Sequence, residues 1–109
     1  HYEDPKVLTA SAEWGGGTFT NDIIVRSGTF KIPSGKTLQM RDGYRIYVLE
    51  GGTLEVDGGI IQNADVLVKS GGTLNIKNNG GIHLNRYGKL DAEKGATVNA
   101  LYGEVQTAR

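Results

Sequence analysis

The stretch Gly51-Gly52-Thr53-Leu54-Glu55-Val56 returns twenty residues later as Gly71-Gly72-Thr73-Leu74-Asn75-Ile76. A looser copy, Gly28-Thr29-Phe30-Lys31-Ile32, precedes the pair, and another, Gly95-Ala96-Thr97-Val98-Asn99-Ala100, follows it. Within each copy apolar and polar side chains alternate with period two, as in a strand with one face buried, and the glycines ahead of it supply a bend. Between the copies the alternation continues as apolar-x-apolar triplets such as Leu38/Met40, Ile46/Val48, Val66/Val68, Ile82/Leu84 and Leu90/Ala92. No useful window carries the i, i+3, i+4, i+7 pattern of an amphipathic helix free of glycine.

Strands so spaced suit two architectures. In an antiparallel meander, Asp57-Gly58 and Asn79-Gly80 would be type I′ hairpin turns. In a parallel β-helix, three strands make one coil, and each strand stacks on its counterpart a coil later. The phrase starts at Gly28, Gly52, Gly72 and Gly95, separated by 24, 20 and 23 residues. A meander has no reason to repeat a turn-and-strand phrase every third strand, whereas a solenoid needs each coil to shield the next. The sequence therefore predicts an all-β fold, a single-stranded parallel β-helix of about four coils with three short strands each.

In that fold Phe30, Leu54, Leu74 and Val98 form one inward column and Ile32, Val56, Ile76 and Ala100 a second, with Thr29, Thr53, Thr73 and Thr97 as an outer ladder. The glycine before each threonine is expected at a corner, turning with positive φ or passing close to the coil below. The second face takes Leu38/Met40, Ile60 and Ile82/Leu84, and the third takes Ile23/Val25, Ile46/Val48, Val66/Val68 and Leu90/Ala92. The second coil leaves little room between Val56 and Val66, which predicts a short strand there with Gln62 turned inward. Residues 1–22 are expected to cap the first coil, with Trp14 and Phe19 closing the core. Residues 23–105 form the coils, and 106–109 a tail.

Composition narrows the function classes. The chain has 109 residues, 17 of them Gly and only two Pro, which suits one domain of short strands punctuated by bends. Twelve Lys+Arg balance twelve Asp+Glu, so no net field draws the chain to nucleic acid. There is no apolar run near the ~18 residues of a membrane helix, so membrane insertion is not expected. With no Cys, disulfides and Cys-ligated metals are excluded. The first residue, His1, reads as the mark of a processed or truncated product.

The phrases VRSGTFKI, VLEGGTLEV and VKSGGTLNI resemble the repeats of right-handed parallel β-helices in secreted and surface proteins of bacteria, including adhesins and autotransporter passengers. The resemblance spans about residues 24–100. It implies an extracellular or cell-surface scaffold, often part of a larger protein, with a structural or adhesive role and no catalytic residues to carry over.

Little chemistry stands on that scaffold. No P-loop, zincin, nucleophile-elbow or EF-hand pattern occurs, no cofactor is implied, and His83 sits alone between Ile82 and Leu84 without a partner at ligand spacing. The third face carries the candidate ligand-binding residues. Arg45, Asp65 and Lys89 form an outward column there, with Tyr47, Leu67 and Asp91 beside it. An aromatic ring next to paired charges could hold a sugar, and Asp65 with Asp91 could serve as a glycosidase carboxylate pair. The plainer reading is charge pairing on an exposed sheet. The threonine ladder, an ordered array of hydroxyls, is interrupted two residues on by Lys31, Glu55, Asn75 and Asn99, which spoils a flat ice-binding surface. The expected function is thus a non-catalytic structural or adhesive module, with carbohydrate binding as the alternative and glycan hydrolysis third. The expected partners are a glycan or cell-surface ligand and, through a poorly protected C-terminal coil, a second copy. The alternative at that end is a plug formed by Tyr102 and Arg109.

Overall fold

The computed structural model describes residues 3–108; Arg109, half of the alternative plug, lies outside them. The chain winds through three parallel sheets, one strand to each per circuit. A first, short circuit comprises β1 (Lys6–Leu8), β2 (Ala12–Glu13) and β3 (Gly17–Phe19). Four longer circuits follow: β4 (Ile23–Val25), β5 (Gly28–Pro33) and β6 (Thr37–Met40), then β7 (Ile46–Val48), β8 (Gly52–Asp57) and β9 (Ile60–Ala64). The last two are β10 (Val66–Val68), β11 (Thr73–Lys77) and β12 (Gly81–Leu84), and β13 (Leu90–Ala92), β14 (Thr97–Asn99) and β15 (Glu104–Gln106). The first sheet runs β1-β4-β7-β10-β13, the second β2-β5-β8-β11-β14 and the third β3-β6-β9-β12-β15, and the strands pair in parallel, one circuit stacked on the next. The fold is a parallel β-solenoid.

Register follows the repeated phrase. Thr29, Thr53, Thr73 and Thr97 stand opposite one another on the outer face of the second sheet, and Phe30, Leu54, Leu74 and Val98 line up inside it. Ile32, Val56 and Ile76 make the second inward column, all but fully buried, whereas Ala100, expected as its fourth member, follows the end of β14 and is exposed. The core is apolar throughout: among the described residues no polar or charged side chain is buried.

Each corner needs two kinds of residue. Gly51, Gly71 and Gly95 turn with φ of +84°, +82° and +92°. The next residue passes over the coil below, so that a Cβ on Gly52 would lie 2.3 Å from the Val25 carbonyl oxygen and one on Gly72 2.7 Å from that of Val48. The phrase therefore opens with a glycine pair because turning and close approach fall on consecutive residues. The next corner repeats the device. Gly58, Asn79 and Tyr102 take positive φ, and Gly59, Gly80 and Gly103 lie against the carbonyls of Ile32, Val56 and Ile76. Asp57-Gly58 and Asn79-Gly80, candidate hairpin turns in a meander, are thus corners between parallel sheets.

Three further expectations change. The segment 1–22 is more than irregular cover, since β1, β2 and β3 each head a sheet, and the strands run on to Gln106. On the third sheet Ile61, not Ile60, faces inward: Gly58 and Gly59 are both used in the corner, so β9 begins with Ile60 opposite Thr37 and Ile61 falls opposite Leu38. Gln62 consequently pairs outward with Gln39. Between Ile61 and Ala64 the strand holds one residue more than β12, and Asn63 absorbs it with φ of +59°, a β-bulge.

Candidate functional site

The third corner, from the third sheet to the first, differs from coil to coil. Five residues, 41–45, join β6 to β7, and five, 85–89, join β12 to β13, but Asp65 alone joins β9 to β10. The short connection between two long ones leaves a notch of about 470 Å³. Asp42 and Gly43 form one wall, Asn85, Arg86 and Tyr87 the other, and Asn63 and Asp65 the floor.

Both walls are fixed by local hydrogen bonds. The Asn63 side-chain amide, aimed by the bulge, donates to the Met40 carbonyl at 2.9 Å and to Asp42 Oδ1 at 2.8 Å. Asn85 Oδ1 accepts the Tyr87 N–H at 2.9 Å, and Gly88 lies so close to the Ala64 carbonyl that a Cβ would stand 2.2 Å from its oxygen. Tyr87 projects from this turn 82 % exposed, with the Arg86 guanidinium 5.6 Å from its ring centroid.

The five residues expected on the outer face are brought together as the register demands. Arg45, Asp65 and Lys89 precede three strands that pair in register, and Asp22 extends the column by one coil. Tyr47, Leu67 and Asp91 stand beside them. Two of the carboxylates, those of Asp22 and Asp65, are engaged with the scaffold. Asp22 Oδ1 accepts the Arg45 N–H at 2.8 Å, while Asp65 Oδ1 meets Arg45 Nε at 3.3 Å and accepts the Lys89 N–H at 3.4 Å. The Arg45 guanidinium also lies 5.9 Å from the Tyr47 ring centroid, on the ring that a sugar would use. Asp42, Asn63, Asn85 and Tyr87 are the site residues that strand alternation alone misses. Their signal was the uneven spacing of the phrase, since a short coil between longer ones makes a notch.

The second sheet carries a comparable ladder. Glu55 lies 3.7 Å from Lys31 Nζ and 3.2 Å from Lys77 Nζ, and Asn99 donates to Asn75 at 2.8 Å. At the corner after the first sheet the Ser70 N–H donates to Glu93 at 3.1 Å, which with the nearby Lys69 ammonium holds the Glu93 carboxyl below its usual range. Among the described residues no cluster of three or more His, Cys, Asp or Glu is placed to hold a metal ion, and no helix is long and apolar enough to cross a membrane.

No family model, curated protein or solved structure matches this chain. Its class rests on its own geometry, an all-β parallel solenoid of three-stranded coils with a polar notch at one corner.

Proposed function

We propose that the chain is a non-catalytic structural or adhesive β-solenoid module, of the kind found in extracellular or cell-surface proteins and working within a larger one. The observation that carries this reading is how the outer polar groups are used. Lys31 and Lys77 pair with Glu55 and Asp57 along the stack, Asn75 and Asn99 bridge two coils, and Asp22 and Asp65 receive the backbone N–H of the coil that follows. Groups committed in this way brace coil against coil. Each exposed pair contributes only a few tenths of a kcal/mol, but a row of them favours one register and a stiff stack. The extracellular setting rests on the resemblance of the repeat phrases to bacterial surface β-helices.

Incubation with a panel of polysaccharides tests the non-catalytic part, and no release of reducing ends is expected. Turnover that disappears in Asp65→Asn or Asp91→Asn would replace the reading with a glycan-active enzyme. Carbohydrate binding is favoured by one observation, the exposed Tyr87 ring beside the amides of Asn63 and Asn85 and the Asp42 carboxylate. A ring to stack on and a few convergent polar groups suit a sugar and its hydroxyls. On a glycan array, binding lost in Tyr87→Ala would assign the sugar to the notch, and binding lost in Tyr47→Ala would assign it to the sheet face.

A further inference from the structure

We infer that the outer face of the first sheet packs on the same face of a second copy, the two solenoids lying side by side across a two-fold axis parallel to the stack of coils. The ladder of this sheet reaches one residue beyond each strand. The carbonyls of Asp22, Arg45, Asp65 and Lys89 accept N–H groups of the preceding coil, and the N–H groups of Arg26, Leu49, Lys69 and Glu93 donate to it. Alternation over five residues therefore turns three columns outward. The middle column, Val7, Ile24, Tyr47 and Leu67, is apolar over four consecutive coils before it reaches Asp91. It lies on the flank of the stack, so coils above or below it would lengthen the stripe and not cover it.

The surroundings of the stripe favour a protein over a sugar. The Arg45 guanidinium already occupies the neighbourhood of the Tyr47 ring, 5.9 Å from its centroid, and Ile24 and Leu67, which flank that ring in the column, offer a hydroxyl no hydrogen bond. An apolar centre with a charged column on either side has instead the layout of a protein–protein interface, an apolar core within a polar rim. Two sheets meeting face to face about a two-fold axis bring the same patch of each copy together.

The two charged columns complement each other, which selects a second copy as the occupant. About an axis parallel to the stack, each coil meets its own counterpart, and the column before the strands faces the column after them. Asp22 then stands opposite Arg26 of the second copy, Asp65 opposite Lys69 and Lys89 opposite Glu93, each pair occurring twice, while Val7, Ile24, Tyr47 and Leu67 meet themselves. Arg45 falls opposite Leu49. The one like-charge meeting, Asp91 on Asp91, lies at the end of the stripe between the two Lys89–Glu93 pairs. An axis along the strands does less well. Centred on an inner strand it sets Asp22, Arg45 or Asp65 on itself, a repulsive contact. Centred between β7 and β10 it seats Ile24 on Asp91, and between β4 and β7 it leaves Asp65 and Lys69 opposite Pro5 and Thr9. Five strands ~4.8 Å apart and five residues of ~3.3 Å make a face of roughly 400 Å². That is half the ~800 Å² per partner of a standard interface, so the association is weak.

In sedimentation equilibrium the wild-type protein is expected to pass from monomer to dimer and no further, with a dissociation constant on the order of 10⁻⁴ M. Leu67→Asp, which sets carboxylate on carboxylate within the stripe, is expected to stay monomeric with its circular dichroism spectrum unchanged. Arg26→Glu and Lys69→Glu place a carboxylate opposite Asp22 and Asp65 of the second copy, and each is expected to raise the dissociation constant at least about fivefold. An axis along the strands predicts weakening in at most one of these two. The chain has no cysteine, so a single introduced thiol reports on a second copy alone. Leu67→Cys faces its counterpart across the ~10 Å between packed sheets and is expected to be captured as a covalent dimer by a bismaleimide of that span. Thr73→Cys, on the outer face of the second sheet, stays a monomer. A wild-type protein still monomeric at ~1 mM, even one that binds a glycan through Tyr47, would overturn the inference. So would longer polymers, a Leu67→Asp variant that dimerises, weakening in only one of the two charge variants, or equal capture at Leu67 and Thr73.

Discussion

The two ends of this solenoid solve the same problem differently. At the first coil Phe19 is 5 % exposed beneath Trp14, and the indole N–H donates to the Thr37 carbonyl at 2.9 Å, so the plug is both packed and hydrogen-bonded. At the last coil Val98 continues the column of Phe30, Leu54 and Leu74, yet it is 41 % exposed, with none of the described residues stacked above it. An inward position in a solenoid is buried only by the coil that follows. Identical sequence patterns therefore differ in energy according to their distance from an end.

Leu74 and Val98, paired in register one coil apart, break that comparison most sharply. Leu74→Asp sets an unpaired carboxylate in the sealed core, at a cost on the order of 5 kcal/mol, comparable to a small domain's whole stability. Cooperative unfolding should be lost. Val98→Asp should cost about 1 kcal/mol, because its carboxylate reaches water. Urea titrations of the two variants compare them directly, and Thr73→Asp, pointing outward beside Leu74, should melt like Val98→Asp.

Next in size, Trp14→Ala removes the aromatic packing and the indole hydrogen bond, a loss of about 3 kcal/mol. Tyr102→Ala at the other end should change the monomer's stability by less than about 1 kcal/mol, and thermal melts at low concentration distinguish the pair. Gly52→Ala forces a Cβ against the Val25 carbonyl oxygen and should cost about 2–3 kcal/mol. Ala96→Gly, at the equivalent place in the open coil, should cost no more than about 1 kcal/mol; denaturant midpoints give both values.

The smallest effects sharpen the comparison at the open end. Tyr102 holds φ of +58° where the equivalent coils use Gly58 and Asn79. Tyr102→Gly should stabilise the monomer by about 0.5 kcal/mol, relief of the left-handed conformation being partly offset by a more flexible unfolded chain. A midpoint shifted downward would count against strain at that corner. Glu93, exposed and held below its usual range by the Ser70 N–H, stabilises the fold above the carboxyl's unfolded pKa. That contribution fades as pH falls through the lower folded value. Glu93→Gln should flatten the acid limb of a stability–pH curve by slightly lowering its neutral plateau, with the acid end unchanged.

Alternation and the glycine phrase were enough to reveal the parallel stack, the second-sheet columns and the Arg45–Asp65–Lys89 order, because in-register stacking turns a sequence repeat directly into spatial neighbours. What they hid has local causes. β1 and β2 are two or three residues long, and Lys6 stands at an inward position, so no alternation marks the first coil. The placement of Ile61 depends on how many glycines the preceding corner consumes, and the bulge at Asn63 depends on a left-handed residue that asparagine tolerates but does not announce. The notch arises from a difference between loop lengths, visible in the uneven spacing of the phrase but not in any residue of the site.

The claim that one end is sealed and the other open is tested most directly by hydrogen exchange read coil by coil in dilute solution. Protection should be greatest from β4 to β12, and β3, under Trp14, should outlast β14 and β15, with the Val98 and Val105 amides among the first to exchange. Exchange at β3 as fast as at β15, or protected Val98 and Val105 amides in a dilute monomer, would contradict it.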